Sequence, residues 1–68
     1  MNPNWVKVYE TTEQYKASLL NGLLEEAEID NVMINKQDSS YLAFGQIEIY
    51  VENLNVIKAK HLIDKSQL

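Results

Sequence analysis

His61 is the chain's only histidine, and so the only side chain whose ordinary pKa suits a general base near neutral pH. Nucleophilic or acid–base catalysis needs that base beside a hydroxyl or thiol and a third, orienting group. The chain has no cysteine, and by helical angle His61 lies away from the apolar stripe of Val56, Ala59, Leu62 and Ile63 that would seat its helix. It reads as a solvated surface residue. The acidic run Glu25-Glu26-Ala27-Glu28, with Asp30 beyond it, is the other chemical candidate, for a hard cation. Carboxylates that follow one another on a helix point in different directions, so the run reads as a solvated helix face. No metal site, no cofactor and no enzymatic activity are expected.

Two further groups of side chains could bind rather than react. One is a set of rings and charges at positions expected to share a sheet face: Trp5, Lys7, Tyr9, Met33, Glu48 and Tyr50. The other is the polar segment that begins at Lys36 and includes Asp38, Ser39, Ser40, Tyr41 and Phe44. Its Asp and Ser side chains hydrogen-bond locally to the backbone and so favour a turn, and Lys36 is the one positive charge at hand for an anionic ligand.

The elements that position these groups follow from hydrophobic periodicity. Trp5–Glu10 alternates as a strand, with Val6 and Val8 on one face and Trp5, Lys7 and Tyr9 on the other. Thr11-x-x-Gln14 is a capping-box pattern, and Ala17, Leu20, Leu23, Leu24 and Ala27 then recur at helical spacing, giving a helix from about residue 12 to 28. Val32–Asn35 alternates again and ends near Lys36, with Val32 and Ile34 directed one way and Met33 the other. Gly45 is placed to allow a positive φ or a bulge. Gln46–Val51 is the cleanest alternation in the chain, with Ile47, Ile49 and Val51 opposite Glu48 and Tyr50. Asn53 or Asn55 caps a last helix that ends near Ser66.

The order β-α-β-β-α, with a right-handed crossover, predicts an antiparallel sheet in the order 1-3-2 under two helices on one face. This is an α+β, two-layer, ferredoxin-like sandwich occupying residues 1–68 as a single domain. Its second sheet face stays uncovered and carries the ring-and-charge set, and strand one is left as an unpaired edge. Six lysines, no arginine and ten acidic residues give a net charge of −4, which lacks the basic field that binds a phosphate backbone. Nucleic acid is not an expected partner. Nor is a membrane, since no apolar run approaches the ~18 residues of a span, and Met1-Asn2-Pro3-Asn4 does not open a secretory leader. The expected location is the cytoplasm.

The Trp-Val-Lys-Val-Tyr opening, the helix end Leu-Leu-Glu-Glu-Ala-Glu-Ile-Asp, the segment Asn-Lys-Gln-Asp-Ser-Ser-Tyr and the strand Gly-Gln-Ile-Glu-Ile-Tyr-Val together resemble a small bacterial domain family, as does the final helix. That family carries the description putative prokaryotic signal-transducing protein. The resemblance covers about residues 4 to 64 and implies a fold similar to the PII nitrogen-regulatory proteins, with their signalling loop matching Gln37 to Phe44. The fourth strand and glycine-rich phosphate loop of the PII pattern have no counterpart here, so the topology alone carries over. The expected function is a non-enzymatic binding or signalling module. It would act by protein contact or self-association through the open sheet face, the strand-one edge and the 37–45 loop. The alternative is a small-molecule sensor in which Lys36, Ser39, Ser40 and Tyr41 close over a polar ligand.

Overall fold

The computed structural model describes residues 4–37 and 45–68. Along the chain come β1 (Trp5–Thr11), α1 (Gln14–Glu26), β2 (Asn31–Asn35), β3 (Ile47–Glu52), a 3-10 turn (Asn53–Asn55) and α2 (Val56–Ser66). β3 lies in the middle, antiparallel to both neighbours, so the sheet order is β1-β3-β2. The core is one cluster: Ile47, Ile49 and Val51 of β3 meet Ala17, Leu20 and Leu24 of α1, Ala59 of α2, and Ile29. Both helices therefore cover the same sheet face, and the predicted α+β sandwich is the observed one. No helix among the described residues is long and apolar enough to cross a membrane.

Local chemistry accounts for the element ends. The capping box does not form: the N-cap of α1 is Glu13, with no side-chain cap, and the Thr11 hydroxyl instead accepts from the Glu13 N–H at 3.0 Å. Gln14 is drawn away to the Gln37 side chain, whose own amide donates to the Thr12 carbonyl at 2.8 Å. At its other end α1 closes with two backbone bonds, Ile29 N–H to the Leu24 carbonyl at 2.8 Å and Glu28 N–H to the Glu25 carbonyl at 3.0 Å. This is a Schellman closure, with Glu28 in the left-handed region at φ 61 and buried Ile29 packed in the same cluster as Leu24. Gly45 takes φ +91, and a Cβ there would run into the Lys36 carbonyl, so the position demands glycine.

Two strand faces differ from the alternation read in the sequence. In β1 the pairing runs Val6 to Val51 and Lys7 to Tyr50, then slips by one so that Tyr9 meets Ile49 and Thr11 meets Ile47. Val8 is the extra residue of a bulge, and the slip turns Tyr9 to the helix side, where both residues pack against the core. In β2, Met33 pairs with Ile49 while Val32 and Ile34 pair with Tyr50 and Glu48. Met33 therefore faces the helices, and Val32 and Ile34 face out. The reason is register: opposed residues of an antiparallel pair share a face, and a period of two cannot say which of its two faces goes inward. The polar helix-side position Asn31 is satisfied there, accepting from the Asn21 side chain and donating to the Ile29 carbonyl at 3.1 Å.

Candidate functional site

The uncovered sheet face is built around Glu48, which is 8 % exposed although no helix covers it. Its shielding comes from neighbours on the same face. The Tyr50 hydroxyl donates to one carboxylate oxygen at 2.9 Å, the Lys36 ammonium lies 3.3 Å from that oxygen, and the Lys7 ammonium lies 3.7 Å from the other. The Tyr50 hydrogen bond holds the Glu48 carboxyl below its ordinary value of 4.5, and the two lysines add to that against the cost of desolvation. The same bond raises the Tyr50 phenol above 10.0. Lys7 is raised above 10.5, chiefly by its 2.8 Å bond to Glu10.

The bulge makes this arrangement available. In a regular strand, residues three apart point to opposite faces; the extra residue Val8 puts Lys7 and Glu10 on the same one. Glu10 sits directly opposite Glu48 across the β1–β3 pair, a like-charge contact that costs stability unless a cation intervenes, and Lys7 is that cation. Beside the charges lie Val32 and Ile34, 41 % and 40 % exposed. The face thus presents a charge cluster with fixed geometry next to an aliphatic pair.

Of the residues expected on this face, Lys7, Glu48 and Tyr50 are brought together; Tyr9 and Met33 are turned to the helix side. Trp5 pairs with Glu52 and so belongs by register to the open side, at the end of the sheet away from Glu48; it is half-buried and lines a shallow cleft with Glu25, Glu28, Ile29, Asp30 and Asn31. Lys36 joins the Glu48 cluster, whereas Asp38, Ser39, Ser40, Tyr41 and Phe44 lie outside the described residues. Val32, Ile34 and Glu10 are members of the face that alternation alone does not reveal. No sequence signal finds them, because the inward positions of β2 go to Asn31, Met33 and Asn35 and the bulge in β1 has no local signature. His61 is exposed, beside a shallow cleft with Val8, Lys60, Ile63 and Asp64. Among the described residues no group of three or more His, Asp or Glu side chains gathers as metal ligands do.

The family model described as Putative prokaryotic signal transducing protein matches residues 5–67, nearly the whole chain. The chain belongs to that family. The family's description places its members in signal transduction, and the match spans every element that builds the Glu48 face. No curated protein and no solved structure matches the chain.

Proposed function

We propose that the chain is a non-enzymatic signalling module that acts through protein contact on its open sheet face. The observation that carries this reading is the face itself: Glu48 clamped by Lys7, Lys36 and Tyr50, beside the exposed pair Val32 and Ile34. An aliphatic patch gives a partner something to dehydrate, and fixed charges at its border select the partner's charges and orient it. The β1 edge adjoins this face, and the 37–45 segment follows Lys36 in the sequence. The family's signalling description supports the same reading. Affinity purification from the native cell tests it with two variants. Val32→Asn combined with Glu10→Lys alters the open face without touching the core, and Lys58→Glu alters an exposed site on α2. A protein recovered with native chain and Lys58→Glu but lost with the double variant is the expected result; equal recovery with all three contradicts the reading.

A further inference from the structure

The two edges of this sheet are guarded differently. β1 carries a bulge at Val8 and the charges Lys7 and Glu10, which are the devices that keep an edge strand from pairing with another chain. β2 has none of these. Asn31-Val32-Met33-Ile34-Asn35 is uncharged, pairs with β3 in unbroken register, and has no strand on its other side among the described residues. Its three central side chains are 41 %, 43 % and 40 % exposed. The Lys36 N–H donates to the Gln46 carbonyl at 3.0 Å, which fixes the alternation: Lys36, Ile34 and Val32 direct their backbone groups to β3. Asn31, Met33 and Asn35 direct theirs outward.

We propose that β2 pairs antiparallel with β2 of a second copy about a two-fold axis through Met33. The segment is self-complementary about that residue. Met33 opposes its own copy, Asn31 opposes Asn35, and Val32 opposes Ile34. Each pair shares a face, with the aliphatic pairs on the open side and the amides and methionines on the helix side. The outward residues are the ones that meet as hydrogen-bonded pairs, two bonds per pair and about six in all. The helices fit as well. α1 lies over all three strands on the helix side, so joining the sheets brings the two α1 helices onto one continuous face on either side of the seam. Gln14 and Ser18, which with Met33 and Asn35 line the cleft at this edge, and the exposed Tyr15 and Leu19 next to them, then lie along the seam. The two three-stranded sheets become one, β1-β3-β2 continuing into its copy, and two Glu48 faces lie side by side. This pairing goes beyond the signalling reading and stands whether or not the open face has another protein partner.

Sedimentation across micromolar to millimolar concentration tests it with native chain, Met33→Lys, Met33→Glu and an equimolar mixture of the two variants. Met33 sits on the helix side at the rim of the sheet and is 43 % exposed, so a long charged side chain there can reach solvent, and amide spectra of each variant check that the protomer fold is kept. The expected result is a native mass that rises to twice the chain mass and two variants that stay monomeric alone, each repelling its own copy. In the mixture a dimer is restored, because the ammonium of the M33K chain meets the carboxylate of the M33E chain across the axis. A native chain monomeric throughout, a dimer that survives in M33K alone, or a mixture that stays monomeric each overturns the proposal.

Discussion

Glu48 is the residue on which the open face turns, and its environment sets a pH signature. A carboxyl held below 4.5 in the folded chain stabilises the fold at pH above that value, and the contribution is lost as pH falls through the lowered pKa. Tyr50 and Lys7 have raised pKa values, so their contributions are complete below 10.0 and 10.5 and are lost as pH rises beyond. Melting temperature is therefore expected to hold a plateau through neutral pH and to fall at both ends. Glu48→Gln should flatten the acid limb relative to native chain, because Gln does not titrate; an unchanged acid limb contradicts the cluster. In Tyr50→Phe the carboxyl loses its strongest partner, and NMR titration should find the Glu48 pKa moved back up toward 4.5. Glu48, Tyr50 and Lys7 are legible in the sequence as face-mates because the β3 alternation is unambiguous. That Val8 is supernumerary is not legible, since nothing in Trp-Val-Lys-Val-Tyr distinguishes a bulged from a regular strand, and Tyr9 is therefore read onto the wrong face.

At the scale of the element, Gly45 and Glu28 both adopt a positive φ but are opposite residue types, and they predict opposite responses. Gly45 adopts φ +91 against the Lys36 carbonyl, so Gly45→Ala adds both strain and a clash and should cost more than about 1 kcal/mol in denaturant unfolding. Glu28 ends α1 at φ 61, a position that favours glycine, so Glu28→Gly should raise stability by about 0.5–1 kcal/mol. Reversed signs would contradict the backbone described here. Both helices and all three strands are legible from periodicity, with ends displaced by one or two residues. The Thr11 capping box fails because Gln37 offers Gln14 a different partner, a contact across 23 residues that no local pattern encodes. The face of β2 is unreadable for a related reason: Val32 and Ile34 look like core residues, but the Schellman closure at Glu28–Ile29 sets the phase at which the strand begins.

The described residues share one small core, and the margin of the fold is correspondingly thin. Leu20 and Leu24 are fully buried in it, and truncating either to Ala should cost about 2–5 kcal/mol. A domain this short commands only about 3–5 kcal/mol from its core, so either variant should be largely unfolded in buffer, as far-UV circular dichroism would register. The α+β sandwich and its strand order are legible because a β-α-β-β-α chain has few unknotted ways to bury one face. Which face stays open is legible too; what stands on it is only partly so. The most direct test of a contact role uses the chain's lack of cysteine. Glu10→Cys places one thiol on the open face at β1, the far side of the sheet from the β2 edge, and Lys58→Cys places one on α2. Maleimide labelling rates would be measured in intact cells and in dilute purified protein. The expected result is Glu10→Cys slowed severalfold in cells relative to Lys58→Cys; equal ratios at the two sites would contradict a protein-contact role for the open face.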